Sequence, residues 1–302
     1  MEPSEVTVLN PEIRSAETGA VPERVYLPAP AVAGQRVWLH VLLYVLTIFT
    51  TVWVGRMMFG TLAQGGLFSF SLLAILTAHE FGHYFTLRKY GVPSSLPYFI
   101  PLPFPPFGTF GAVIRMSPRI PHRRALFDIA AAGPLAGIIV ALPLTYFGIL
   151  HSTMIHKEAL SAGSITLGEP LLFRGLEWLA HGTLPNNLDM LVHPLAYAGW
   201  AGMFVTALNL LPVGQLDGGH VSEALFGSRS RLVAGAMFFG LGLYCIVAHN
   251  ATWILLLGLL LLMGIRHPRS ADDGRPLGPT RQALGILLAA LFVACFSFMP
   301  IS

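Results

Sequence analysis

Long apolar stretches recur along most of this chain of 302 residues. A helix that crosses a bilayer needs about 20 mostly apolar residues. Reading with that window gives seven candidate spans, at 37–57, 67–87, 126–149, 192–212, 232–249, 251–265 and 282–299. The sixth is short, so residues 232–265 could instead form one broken hairpin. The sequence therefore predicts an all-α polytopic membrane protein with about six or seven transmembrane helices.

The composition excludes a soluble protein of this size. Only 11% of the residues are charged and 54% are hydrophobic, whereas soluble globular chains carry about 25% charged residues. The formal net charge of +3 is too small to indicate a nucleic-acid partner. The two cysteines, Cys245 and Cys295, lie inside apolar runs and indicate neither a disulfide framework nor a cysteine-ligated metal.

The distribution of positive charge predicts the orientation, because cytoplasmic loops are enriched in lysine and arginine. With a cytoplasmic N-terminus, all 18 lysines and arginines lie inside except Arg56, Lys157 and Arg174. We therefore expect a cytoplasmic tail over 1–36 and a transmembrane domain over 37–302 whose core is 60–225. A bacterial chain of this kind would lie in the inner membrane.

Two segments between the spans have distinct patterns. Residues 92–122 are apolar, but six prolines between positions 93 and 106 forbid a helix there. The β-branched and aromatic residues that follow are typical of a short strand over Thr109–Met116, so we expect a small membrane-associated β or re-entrant segment. The outer loop, about 150–191, has an apolar piece around Leu171–Leu179 that forms either a surface-lying helix or a loop.

The second span contains an ionisable residue, Glu80, which at bilayer depth requires a reason. Together with His79 and His83 it forms an H-E-x-x-H motif. Residues four apart lie on one helix face, so the two imidazoles can bind one metal ion while Glu80 handles a proton. Zinc is the usual metal. The alternative is a water-filled pore or proton relay in a transporter.

A zinc site needs a third protein ligand, and a catalytic site keeps one position open for water. Asp217 is the candidate, because it follows the helix-breaking Pro212 and Gly214 at the end of the fourth span. Broken helices at membrane depth occur where the backbone lines a buried cavity. The alternative is a cytoplasmic turn, since Asp-Gly is a common turn dipeptide.

These motifs together resemble the site-2 protease family of intramembrane zinc metalloproteases. The family patterns are H-E-x-x-H and, in a later span, N-x-x-P-x-x-x-L-D-G, which residues 79–83 and 209–218 match in order. Residues 133–137, GPLAG, look like a third family element. Many relatives end that element in a polar residue, whereas Gly137 has no side chain, so we favour a helix-packing face at Gly133 and Gly137. The resemblance is closest to the branch that lacks a PDZ insert.

The resemblance implies an intramembrane endopeptidase with one zinc ion per chain, held by His79, His83 and Asp217. Glu80 would transfer the proton, and Asn209 would hold the substrate or the developing oxyanion. The alternative for Asn209 is an interhelical hydrogen bond. Other functions that remain open are a polytopic cation transporter and a catalytically inactive scaffold.

The expected partners are the lipid bilayer and a transmembrane protein substrate, with no nucleic acid. A substrate helix has to unwind near the cut, and its freed backbone groups then need hydrogen-bond partners. The strand over Thr109–Met116 could supply them by strand addition. The alternative is a structural loop that shields the zinc from lipid.

Overall fold

The computed structural model describes residues 36–159, 166–183, 185, 187–247, 253–254, 257–258 and 276–300. The predicted tail over 1–36 and most of the predicted sixth span lie outside these residues. The helices, numbered α1 to α8 in chain order, are Val37–Phe59, Leu62–Lys89, Arg123–Leu150, Leu171–His181, Pro194–Asn209, Asp217–Phe226, Ser230–Val247 and Pro279–Cys295.

Within the described residues, four helical segments are long and apolar enough to cross a membrane. They are α1, α2, α3 and the stretch Asp217–Val247 that contains α6 and α7. The prediction of a mostly helical membrane chain is therefore confirmed. The predicted number of six or seven spans is larger than the four that length and composition support. The predicted span 192–212 forms α5, which has 16 residues because Pro194 starts it and the turn before Pro212 ends it.

The expected strand is present but shorter than predicted. Strand β2, Thr109–Val113, pairs antiparallel with β1, Tyr98–Pro101. An isolated bridge between Ser94 and Met116 continues the pairing beyond the strand ends. The sheet lies against α1, where the ring of Tyr98 is 4.1 Å from that of His40. The segment over 92–122 is therefore a β-hairpin supported by the first helix.

The segment between α3 and α5 contains a second hairpin and the short helix α4. Strand β3, Thr153–His156, pairs antiparallel with β4, Leu188–Leu191, and α4 lies between them in sequence. The helix alternative for the apolar piece at Leu171–Leu179 is thus confirmed. One face of α4 buries Phe173 and the other exposes Trp178, the pattern of a helix that lies at an interface.

The three helices α2, α3 and α5 form the core of the protein. Small residues let their backbones approach closely, as is common between membrane helices. A Cβ on Gly199 of α5 would lie 1.9 Å from Oγ1 of Thr145 on α3, and one on Gly148 of α3 would lie 2.1 Å from the nitrogen of Ala196. The close crossing of α3 with its two neighbours sets the frame in which the candidate site is built.

Candidate metal centre

The structure brings together the three predicted metal ligands from two distant parts of the chain. The Nε2 atoms of His79 and His83, one helical turn apart on α2, are 3.1 Å from each other. Oδ2 of Asp217, the first residue of α6, is 3.4 Å from Nε2 of His79 and 3.2 Å from Nε2 of His83. His79 is buried and the other two are half-buried, so the donors converge on one sheltered point.

The orientation of His83 is fixed from α3. Its Nδ1–H donates a hydrogen bond to the carbonyl oxygen of Ile129 at 2.8 Å. Since Nδ1 then carries the proton, the lone pair of the neutral ring is on Nε2, the atom that faces His79 and Asp217. Metal-binding histidines commonly have such a hydrogen bond from the second ring nitrogen, which fixes the tautomer and the ring orientation.

Three glycines allow α2 and α3 to approach closely enough for that contact. A Cβ on Gly82 would lie 2.5 Å from the carbonyl oxygen of Ala132, and one on Gly133 would lie 2.0 Å from Nε2 of His83. A Cβ on Gly137 would lie 3.2 Å from Cβ of His79. The predicted packing face at Gly133 and Gly137 is therefore confirmed, and the surface that it packs against includes both histidines.

Asp217 reaches the histidines because the chain turns back sharply after α5. The turn ends at Leu216, and α6 begins at Asp217. A Cβ on Gly218 would lie 2.0 Å from the carbonyl oxygen of Leu210, so only glycine allows the start of α6 to lie against the end of α5. The alternative of a simple turn at Asp217 and Gly218 is wrong, because both residues belong to α6. The turn comes before them, and it directs the carboxylate of Asp217 to the two imidazoles.

The far end of α6 is held by a residue that the sequence analysis did not single out. The guanidinium of Arg123 donates from Nε to the carbonyl of Ala224 and from a terminal nitrogen to the carbonyl of Leu225 at 2.8 Å. These are among the last carbonyls of α6, which have no partner within the helix, and a basic side chain there stabilises a helix end. Arg123 therefore ties the helix that carries Asp217 to α3.

The other two predicted site residues border the donor group. Nδ2 of Asn209, at the end of α5, is 3.2 Å from Nε2 of His79, so the interhelical hydrogen bond proposed as the alternative for Asn209 is present. Glu80 is adjacent to His79 on α2 and only 9% exposed. The amide of Asn209 and the carboxyl group of Glu80 are thus the polar groups next to the three donors.

The donor set fits a zinc ion in both chemistry and spacing. Two imidazoles and a carboxylate are common ligands of catalytic zinc, with bonds of about 2.0–2.2 Å. Tetrahedral geometry with such bonds places the ligand atoms about 3.3–3.5 Å apart, and the three distances here are 3.1, 3.2 and 3.4 Å. Three protein ligands leave a fourth tetrahedral position open.

Comparison with known proteins supports the same assignment. The family model described as "Peptidase family M50" matches residues 67–247, which include all of the predicted site residues. The probable chloroplastic zinc metalloprotease EGY1 of Arabidopsis thaliana is 32% identical over 245 residues, which is 77% of this chain and 42% of that protein. The probable chloroplastic zinc metalloprotease EGY2 of Oryza sativa subsp. indica is 30% identical over 205 residues, or 67% of this chain and 37% of that protein. The chain thus spans less than half the length of these relatives, and no solved structure matches it.

Proposed function

This chain belongs to peptidase family M50, and we propose that it is an intramembrane zinc endopeptidase, which hydrolyses a peptide bond within or near a transmembrane segment of a membrane protein. The observation that carries the proposal is the spacing of the three donors. Nε2 of His79, Nε2 of His83 and Oδ2 of Asp217 are 3.1–3.4 Å apart, in a sheltered position beside the carboxyl group of Glu80.

In the proposed mechanism His79, His83 and Asp217 hold the zinc ion and the remaining groups act on the substrate. A bound zinc ion polarises a carbonyl and makes water a nucleophile near neutral pH. Glu80 accepts a proton from the attacking water and donates it to the nitrogen of the leaving amine, as a general base and then a general acid. Because Glu80 is one residue from His79, it lies about 100° around the helix from that ligand and does not compete for the metal.

We propose that Asn209 stabilises the negative charge that develops on the scissile carbonyl oxygen. Its amide nitrogen is 3.2 Å from Nε2 of His79, so a small rotation of the side chain suffices to donate to a group beside the metal. An oxyanion donor of this kind contributes on the order of 3–4 kcal/mol when it is well aimed. When the lone pair of Nε2 binds the metal, the amide of Asn209 loses this acceptor and is free to donate to the substrate beside the metal.

We propose that the substrate adds a strand to the sheet at β2. Strand β2 pairs with β1 along one edge, and no third strand joins this sheet within the described ranges. Phe110 and Val113 are exposed on β2, as is appropriate for contact with an incoming chain. Backbone hydrogen bonds from a strand edge would satisfy the groups that unwinding of a substrate helix sets free.

For the topology we propose a cytoplasmic N-terminus and six or seven spans. Arg281 at the start of α8 forms two hydrogen bonds with the carboxylate of Asp128 near the start of α3, at 2.8 and 2.7 Å. Near the other end of α8, the carbonyl of Pro300 accepts from the backbone nitrogen of Gly168, in the loop between α3 and α5. These contacts support a topology in which α3 and α8 both start on one face of the membrane. The residues that follow α8 then lie on the opposite face.

A further contact shows how the ends of α7 and α8 are placed. Tyr244, near the end of α7, lies 4.8 Å from the ring of Phe298, which follows α8. The ends of α7 and α8 are therefore on one face. The predicted sixth span at 251–265 lies outside the described residues apart from four positions, and it stays part of the proposal as the sequence predicts it.

Two other functions are less well supported. A cation transporter gives no reason for a third ligand at tetrahedral spacing, because a conduction path needs weak sites that release the ion. An inactive scaffold gives no reason for a buried Glu80 beside the ligands, since an ionisable group at this depth costs roughly 2.5–3.5 kcal/mol. The proposed endopeptidase accounts for both features.

The test is Glu80→Gln in the purified full chain, with the exposed Glu158→Gln as the matched control. Removal of the basic carboxylate should lower cleavage of a transmembrane peptide by a factor of at least ~100 and leave one zinc ion per chain. Glu158→Gln should cleave at the wild-type rate. Wild-type cleavage by Glu80→Gln would overturn the mechanism, and zinc flux into vesicles carrying the wild-type chain would favour a transporter.

Strand addition is tested separately by placing the photo-crosslinking residue benzoylphenylalanine at Phe110. The control is the same residue at Phe85, which is also exposed but lies on α2 and not on the strand. In a Glu80→Gln background, a transmembrane substrate peptide should crosslink at position 110 and much less at position 85. Equal crosslinking at both positions would exclude a role of β2 in binding the substrate.

A further inference from the structure

A cleft of about 450 Å³ lies between α6, the start of α7 and α8. Its walls are almost wholly apolar and include Val221 and Leu225 of α6, Val233 of α7, and Gly285 and Ala289 of α8. This volume falls within the usual range for pockets that bind small molecules. We call this feature the α6–α8 cleft.

One polar residue in the wall of the α6–α8 cleft has no hydrogen-bond partner for its side chain among the described residues. Ser222 lines the cleft and its side chain is buried, with only 3% of the residue exposed. Within the part of the chain that the structure describes, no group hydrogen-bonds to its Oγ. A buried hydroxyl without a partner costs about 1–3 kcal/mol, so a ligand that offers an acceptor at this point would recover that cost.

The surroundings of the cleft are apolar on the outside as well. Leu232 on α7 is 74% exposed and Ile286 on α8 is 73% exposed. In a membrane chain, side chains of this type face the acyl chains of lipids rather than water. The molecule that has direct access to the α6–α8 cleft is therefore a lipid.

Two arginines lie in the short stretch of chain between two residues that line the cleft. Arg229 and Arg231 are exposed and come between Phe226 and Val233, which both line it. The nearby carboxylate of Glu223 is engaged, since it accepts a hydrogen bond from Ser230. Basic pockets between membrane helices bind anionic lipid head groups, so the two arginines favour a phospholipid whose head group carries a net negative charge.

We propose that the α6–α8 cleft binds one anionic phospholipid. Its phosphate contacts Arg229 and Arg231, an ester carbonyl accepts a hydrogen bond from Ser222, and an acyl chain fills the apolar part. Because Gly218 also lines the cleft and is the neighbour of Asp217, the lipid would brace the helix that carries this residue. Binding itself does not depend on the proposed peptidase activity.

The test is lipid binding to the purified full chain in detergent, measured by native mass spectrometry with dioleoylphosphatidylglycerol and dioleoylphosphatidylcholine. We expect one tightly bound phosphatidylglycerol and at least tenfold weaker binding of phosphatidylcholine. The double variant Arg229→Gln, Arg231→Gln should weaken phosphatidylglycerol binding by about fivefold per arginine. The control is Arg119→Gln, an exposed arginine outside the cleft, which should bind as the wild type does. Equal binding of the two lipids by the wild-type chain would overturn the proposal.

Occupation of the cleft is tested by a matched pair of substitutions on α8. Ala289→Phe places a ring in the cleft, whereas Ala290→Phe places the same ring on an exposed neighbouring position that does not line it. The first should abolish the bound phosphatidylglycerol and the second should retain it. If both variants retain the lipid, the lipid binds elsewhere and the proposal is wrong.

If Ala289→Phe fails to fold, a milder substitution that reports lipid contact by fluorescence still tests the proposal. Phe226→Trp adds an indole at the lining of the cleft to the five tryptophans of the chain, and Phe239→Trp adds one at an exposed position on α7. Phosphatidylglycerol brominated on its acyl chains should quench the added fluorescence at position 226 at lower lipid concentration than at position 239. The same concentration dependence at both positions would indicate unspecific lipid contact and overturn the proposal.

Discussion

A methyl group on Gly133 of α3 would lie 2.0 Å from Nε2 of His83 on α2. The imidazole thus occupies the space that any other residue at position 133 would fill. Because His83 also donates to the carbonyl of Ile129, one turn earlier on α3, its ring is fixed on two sides by the same helix. The metal ligand is therefore positioned by α3 as much as by the helix that carries it.

Gly133→Ala should lower zinc affinity by about 10- to 100-fold, the usual effect of disturbing the support of a metal ligand. The added Cβ displaces the ring of His83 and separates its Nε2 from Asp217. The control is Gly66→Ala on α2, where the added Cβ has no neighbour within 4 Å. Zinc content after dialysis against a competing chelator measures the effect, and equal zinc retention in both variants would contradict it.

Asp217→Ala should abolish cleavage and most of the zinc binding, because two imidazoles alone form an incomplete site. A metal that binds only the folded state stabilises it by about 2.7 kcal/mol at a concentration 100 times Kd. Zinc should therefore raise the Tm of the wild-type chain and leave that of Asp217→Ala nearly unchanged. Asp189→Ala, on β4 and outside the donor group, serves as the control. A normal zinc-dependent Tm shift in Asp217→Ala would show that Asp217 is not a ligand.

The sequence predicted the part of the site that depends on local spacing, but not the contacts that hold the ligands in place. The pairing of His79 with His83 follows from helical spacing alone, so α2 was sufficient to predict it. Asp217 lies more than 130 positions away. The break at the end of the fourth span made it a candidate third ligand, but a simple turn was an open alternative until the resemblance connected it with the histidines. The contact that requires Gly133 to be glycine depends on how two helices cross, which no local pattern encodes.

The same distinction explains the differences in the fold. Apolar length predicted α1, α2 and α3 to within a few residues, because a membrane span is a local property. The span predicted at 192–212 is the shorter α5, since Pro194 and the turn before Pro212 limit it. In the sequence analysis Arg123 was one of the positive charges on the cytoplasmic side. Its contact with the end of α6 joins residues about 100 positions apart, so the sequence did not reveal it.

Arg123→Gln should weaken zinc binding by less than tenfold and lower cleavage, although Arg123 is not itself at the metal. Its guanidinium holds the carbonyls of Ala224 and Leu225, and hydrogen bonds from charged groups contribute about 1.5–3 kcal/mol. Without them α6 gains freedom relative to α3, and Asp217 is held less firmly. Arg123→Lys, which retains a cation at the helix end, should restore part of the zinc affinity. The control, Arg119→Gln, removes an exposed arginine from the same side. Wild-type zinc affinity in Arg123→Gln would exclude a positioning role.

Arg88 and Arg174 should react from opposite sides of the membrane when each is replaced by cysteine. Arg88 is exposed near the end of α2 and Arg174 is exposed on α4, so both positions are open to a reagent. The background replaces Cys245 and Cys295, which are buried, by alanine. Loss of Arg174 removes only an exposed ion pair with Glu169 at 4.0 Å, which contributes little. A membrane-impermeant maleimide added to intact cells should label Arg174→Cys. It should leave Arg88→Cys unlabelled until the membrane is opened. The reason is that the predicted orientation, which places 15 of the 18 basic residues inside, puts the end of α2 on the cytoplasmic side. Labelling of both in intact cells would contradict the orientation.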